Sequence, residues 1–172
     1  PSVLGRMEYV GRTKTGGKVY VDFAHTPDAL KNSIVESKKL ETSNVHVLFG
    51  CGGNRDRKKR PLMGKIASKY ADKATVTDDN PRYEKLEIIN RDILSGFTKN
   101  CYKVYDKREN GILDAIAISQ PGDIIAVLGK GDEEYQYSVV ETTNQFFRDY
   151  NIRSGYTFHR GSATVDKIYA EW

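Results

Sequence analysis

Two runs of this chain, Val45-His46-Val47-Leu48-Phe49 and Ile124-Ile125-Ala126-Val127-Leu128, are apolar at almost every one of five consecutive positions, and each empties into a glycine-bearing loop. A strand with one wet face alternates polar and apolar residues, whereas an unbroken run is what a strand covered on both faces carries. Between and around them, strand-like and helix-like patterns alternate. That order predicts an α/β fold, a mostly parallel sheet with helices on both faces, and ligand binding in loops at one end of the strands.

The expected elements follow in order. Lys18 to Phe23 is β-rich, and Thr26-Pro27 suits a helix start ahead of an apolar stripe at Leu30, Ile34 and Val35. After Val45 to Phe49 comes a helix from about Pro61 to Tyr70, carrying Leu62, Ile66 and Tyr70. Ala74 to Thr77 then leads through Asp79-Asn80-Pro81-Arg82 into a helix near Lys85 to Leu94. A strand at Tyr102 to Tyr105, a helix at Glu109 to Ile118 and the strand at Ile124 to Leu128 complete the pattern. At the start, Arg6 to Val10 and Lys18 to Val21 are expected to pair as a hairpin; in the tail, Val139 to Tyr150 and Val165 to Trp172 are read as helical.

A chain of 172 residues suits one domain with a real core. Its 27 Lys and Arg against 23 Asp and Glu leave a net charge of only +4, which suits small anionic ligands and is not the field of a dedicated nucleic-acid binder. Cys51 and Cys101 have no metal-ligand spacing and fit a reducing, cytoplasmic compartment. No stretch is apolar enough to span a bilayer.

The chemistry-bearing residues fall in three loop blocks. Gly50-Cys51-Gly52-Gly53 lets backbone approach a ligand, and Arg55, Arg57, Lys58, Lys59 and Arg60 follow with positive charge; Arg55, nearest the glycines, is the best placed to fork onto a carboxylate. Lys58 and Lys59 are read as a solvated face. The turn Asp78-Asp79-Asn80-Pro81-Arg82 carries both signs of charge, as a zwitterionic amino acid requires, though Asn-Pro is also an ordinary turn pair. Gly129-Lys130-Gly131 followed by Asp132-Glu133-Glu134 is either a capped turn or a site for an amine. Asp22 and His25 stand at a strand-to-helix junction with no nucleophile beside them in sequence, which favours ligand contact over general-base chemistry. The segment Gly11 to Lys18 superficially suggests a phosphate loop, but Gly17 stands where lysine should, Val19 where serine or threonine should, and a strand follows where a helix should.

Taken together, Val21 to Leu30, Phe49 to Gly64, Asp79 to Arg82 and Gly129 to Gln136 closely resemble the C-terminal domain of Mur ligases, nearest the tripeptide-synthetase branch that adds the third residue of the peptidoglycan stem peptide. The resemblance runs collinearly from about Leu4 to Gln136. It implies a Rossmann-like domain that binds the incoming amino acid and closes over ATP, with ATP and Mg2+ held mainly by a central domain of the complete ligase. It implies that Arg55, Asn80, Arg82, Gly129 and Glu133 recognise the amino acid, and that Arg6, Asp22 and His25 lie near the nucleotide. The Asp-Asn-Pro-Arg form is the one associated with meso-diaminopimelate in place of lysine. Two departures stand out: Asp132 replaces a usual histidine and Phe23 a common tyrosine.

The resemblance does not extend to a central ATPase domain or an N-terminal UDP-sugar domain, so the expected role is recognition of the amino acid in partnership with those domains, in cis or in trans, without turnover by this chain alone and without a metal site or catalytic residue of its own. The alternative is a stand-alone binding module recruited from the same fold. Nucleic-acid binding through Arg55 to Arg60 ranks last, because the basic run lacks interleaved aromatics.

Overall fold

The computed structural model describes residues 6–40, 44–131, 135–139 and 156–160, the last two stretches by their backbone. The elements are β1 (Glu8–Arg12), β2 (Lys18–Asp22), α1 (Pro27–Leu40), β3 (Val45–Phe49), α2 (Lys59–Tyr70), β4 (Lys73–Val76), α3 (Leu86–Leu94), β5 (Tyr102–Val104), α4 (Arg108–Ala117), β6 (Ile124–Leu128), β7 (Tyr135–Val139) and β8 (Tyr156–Arg160). Six strands form one sheet in the order β1-β2-β6-β3-β4-β5, while β7 and β8 pair separately and antiparallel. Within the large sheet β1 is antiparallel to β2, as expected of the opening hairpin, and every other pairing is parallel.

The two unbroken apolar runs occupy the centre. β6 lies between β2 and β3, with Val19 opposite Ile125 on one side and Leu48 opposite Val127 on the other. All five residues of β3 and all five of β6 are buried. Because successive side chains point to opposite faces, each strand feeds two cores. Ile124, Ala126, Leu128, Val47 and Phe49 pack with Leu30 and Ile34 of α1, Met63 and Ala67 of α2, and Ile89 and Ile93 of α3. Ile125, Val127, Leu48, Val19 and Val21 pack with Ile112, Ala115 and Ile116 of α4. Among the described residues, three helices therefore cover one face and one helix covers the other.

Local chemistry explains the helix ends. Thr26 Oγ1 accepts a hydrogen bond from Ala29 N at 3.3 Å, Pro27 occupies the first turn of α1, and Asp28 at one end and Lys38 and Lys39 at the other complement the helix dipole.

α2 departs from expectation. The stripe read as Leu62, Ile66 and Tyr70 is only the margin of the buried face: Ile66 and Tyr70 are partly buried against the core, Leu62 is exposed, and the fully buried positions are Arg60, Met63, Gly64, Ala67 and Ser68. The reason is backbone proximity to α3. A Cβ on Gly64 would sit 2.0 Å from Ile93 O, and one on Gly96 would sit 1.9 Å from Pro61 O, so small residues mark the contact where large ones were sought. In the tail, Val139 closes strand β7 and does not start a helix; residues 140–150 and 165–172, read as helical, lie outside the described residues.

Candidate functional site

The carboxyl ends of four parallel strands open into one cleft of about 520 Å3. The segment after β2 contributes Phe23 and His25, the loop after β3 contributes Gly52, Arg55, Asp56 and Lys59, the turn after β4 contributes Asp79, Asn80 and Arg82, and the end of β6 contributes Gly129. This is where an open α/β sheet binds ligands, outside the carboxyl ends of its strands.

The second and third of these segments are laced together. Gly53 N donates to Asn80 O at 3.0 Å, Tyr83 N donates to Asn54 Oδ1 at 3.0 Å, and Arg82 Nη1 donates to Gly53 O at 3.1 Å and to Asn80 O at 3.2 Å. The approach is so close that a Cβ on Gly53 would stand 1.7 Å from Pro81 O. Asn54, Asn80 and Arg82 each adopt a positive φ, near 50°, which shapes both turns.

Of the five residues expected to recognise the amino acid, four converge. All four line the cleft: Arg55 is exposed, Asn80 is buried, Arg82 is half-buried, and Gly129, at φ +113°, follows β6 beside Asp79. Glu133 lies outside the described residues, as does Asp132.

The three residues expected near a nucleotide divide. His25 lines the cleft; its ring stands edge-on to Phe23 with centroids 4.7 Å apart, and Nδ1 donates to Phe23 O at 3.0 Å, which leaves Nε2 for a ligand. Arg6 lies outside the cleft lining, exposed, with its guanidinium 5.9 Å from the Phe23 ring centroid. Asp22 is buried, and both carboxylate oxygens are engaged by backbone: Oδ1 accepts from Ala24 N and Oδ2 from Met7 N, each at 2.8 Å. It braces the chain around His25.

Several participants were missed or misjudged. Lys59 is not on a solvated face but on the cleft, where Nζ donates to His25 O at 2.8 Å. Arg60, counted with the basic run, is fully buried behind the cleft, held by Glu84 and Asp92. Helical spacing was the available signal, since Arg60, Met63, Gly64 and Ala67 share one face. Burial opposes the charge on Arg60, yet its hydrogen bonds with Glu84 and then Asp92 hold its pKa above the ordinary value. Glu84 is correspondingly held low, first by its hydrogen bonds with Arg60. Lys130 is fully buried with Nζ 3.2 Å from Asp79 Oδ1, so one of the two acids expected to meet an ammonium is already paired.

A family model described as Mur ligase, glutamate ligase domain, matches residues 5–131. The chain belongs to the Mur ligase family. A protein of Rickettsia felis named UDP-N-acetylmuramoyl-L-alanyl-D-glutamate--2,6-diaminopimelate ligase is 46% identical to this Mur ligase domain over 136 residues, covering 78% of this chain and 25% of that protein. A solved structure of a ligase with the same name superposes with a TM-score of 0.79 at 31% identity, covering 99% of this chain and 32% of that one. The fold is shared more widely: a bifunctional folylpolyglutamate synthase/dihydrofolate synthase from Yersinia pestis, complexed with AMPPNP and Mn ion, gives a TM-score of 0.58 at 16% identity, over 74% of this chain and 28% of that one. The Mur ligase domain thus spans about a quarter of the length of the curated relative. Among the described residues, no helix is long and apolar enough to cross a membrane.

Proposed function

We propose that this domain binds the incoming amino acid of a peptidoglycan-type ligase, meso-diaminopimelate, and orients its amine for attack on an activated peptide carboxylate. The observation that carries the reading is the arrival of Arg55 and Arg82, from two different loops, on one cleft with Asn80 and Gly129. A guanidinium grips a carboxylate through paired hydrogen bonds, and diaminopimelate offers a carboxylate at each end. Glu133 is assigned an ammonium by the family resemblance.

Amide formation from a carboxylate needs activation. In the complete ligase ATP supplies it by making an acyl phosphate, and this domain contributes by fixing the amine near the reacting carbon, which is catalysis by positioning. His25 and Arg6 are the groups proposed to meet the nucleotide, with Asp22 acting through the backbone it braces. Lys59, whose Nζ donates to His25 O, adds a positive group at that end of the cleft. Among the described residues no three His, Cys, Asp or Glu side chains gather around one point, and no step is assigned to Mg2+. The other ligase domains are the proposed partners, and the cytoplasm, where nucleotide and amino acid meet, is the proposed compartment.

Calorimetric titration of the chain with meso-diaminopimelate, lysine and ATP tests this. Selective uptake of meso-diaminopimelate that disappears in Arg82→Ala is expected. A folded chain that takes up neither amino acid would point instead to a recruited binding module.

A further inference from the structure

The two loops that carry Arg55 and Arg82 meet through one backbone pair, Gly53 N to Asn80 O, and through the side chains of Asn54 and Arg82, and a further tie lies behind them. Arg60 occupies that place. Its Nη2 donates to Gly52 O at 3.2 Å and to Glu84 Oε1 at 2.9 Å, while Nη1 donates to Glu84 Oε2 and to Asp92 Oδ2, both at 2.9 Å. Glu84 Oε1 in turn accepts from Asn54 N at 2.6 Å. One buried guanidinium therefore holds the glycine loop by a carbonyl, the residue two positions past Arg82 by a two-pronged ion pair, and α3 through Asp92. The side chain is fully buried and does not line the cleft, so it reaches a ligand only through what it holds. A guanidinium is suited to this, because it presents several donors in one rigid plane where an ammonium presents a point charge.

We propose that Arg60 and Glu84 are positioning residues that set the separation of Arg55 and Arg82, and so determine whether the cleft prefers an amino acid with a carboxylate at each end over one with a single carboxylate. The proposal rests on the functional reading above. A weakened clamp leaves both arginines present but no longer at a matched distance, so the second carboxylate loses its advantage.

The test uses Glu84→Gln, which keeps size and one acceptor oxygen, Arg60→Lys, which keeps charge but not the fork, and Arg57→Gln as a control, because Arg57 touches the same acids from the exposed side. Two readouts are taken on variants that retain the parent's circular dichroism: amide hydrogen exchange at Gly53 and Asn54, and the ratio of Kd for lysine to Kd for meso-diaminopimelate. Glu84→Gln should speed exchange at Asn54 and shrink the Kd ratio roughly tenfold, as loss of a charge-assisted hydrogen bond implies. Arg60→Lys should do at least as much, and Arg57→Gln should change neither. Unchanged exchange in Glu84→Gln overturns the clamp. Faster exchange with an unchanged Kd ratio overturns its role in selectivity. If the parent binds neither amino acid, the proposed function fails and the selectivity claim with it, while exchange at Asn54 still decides the clamp.

Discussion

Lys130 Nζ stands 3.2 Å from Asp79 Oδ1 at the floor of the cleft, the lysine fully buried and the aspartate nearly so. The pair pins the end of β6 to the turn after β4, and Gly129 between them leaves only 3.3 Å from its ideal Cβ position to Asp79 Oδ2. Removing one partner strands a buried charge, which costs about 3–5 kcal/mol. Lys130→Met should therefore lower the urea midpoint sharply, and adding Asp79→Asn to it should recover part of the loss. Strict additivity of the two changes would show that the pair is not coupled.

The contact of Gly53 with Pro81 O predicts a separate lesion. Gly53→Ala places a methyl group where no rotation relieves it, since the obstructing atom is backbone. The two loops must part, and meso-diaminopimelate affinity should fall by about a hundredfold or more, the scale of a few kcal/mol. Gly11→Ala, with nothing near its ideal Cβ, serves as the matched control and should bind as the parent does.

Acid sensitivity should begin above the carboxylate range. His46 is buried with Nε2 2.8 Å from Thr75 Oγ1, and burial, aided by Lys73, lowers its pKa from 6.5 to about 4. The unfolded chain takes up this proton as pH falls through 6.5, and the folded chain does so only near 4. The stabilisation is whole above pH 6.5 and is lost between 6.5 and 4, by up to about 3 kcal/mol. Urea unfolding across that range should show a flatter pH dependence for His46→Asn than for the parent. Glu84 and Asp92, whose pKa values are depressed from 4.5 and 3.8, contribute fully above those values and lose that contribution only as pH falls further.

The two thiols should separate cleanly. Burial pushes Cys51 up to about 12, and its Sγ lies 3.6 Å from Met63 Sδ, whereas Cys101 is half-buried. Since the thiolate is the reactive form, Ellman's reagent at pH 8 should modify one cysteine of the native chain, with the second reacting only in denaturant. Peptide mapping that finds Cys51 modified first would contradict the buried placement.

Legibility in sequence followed the range of the forces involved. β3 and β6 were readable because double burial is written in consecutive residues, and the cleft was readable because glycines, Asn80, Arg55 and Arg82 sit directly after strands. α2 was legible as a helix, but the centre of its buried face was not, because its packing uses the absence of side chains at Gly64 and Gly96, and because a charge at Arg60 looks solvated until its partners Glu84 and Asp92, far along the chain, are placed beside it. Lys130 and Asp22 were opaque for the same reason: Asp79 and the Met7 amide that answer them are distant in sequence. Lys59 becomes a cleft residue only once the β2 and β3 ends are neighbours.

The place of β6 between β2 and β3 also shapes how the molecule is born. During synthesis β2 and β3 emerge early, yet the strand that joins them is the last of the six to appear, so until about Leu128 leaves the ribosome both keep an open edge able to pair with the wrong strand. Completion of the sheet and delivery of Gly129 to the cleft are then a single event, and a chain truncated at Gln120 should be degraded or held by chaperones while the full 172-residue chain escapes them.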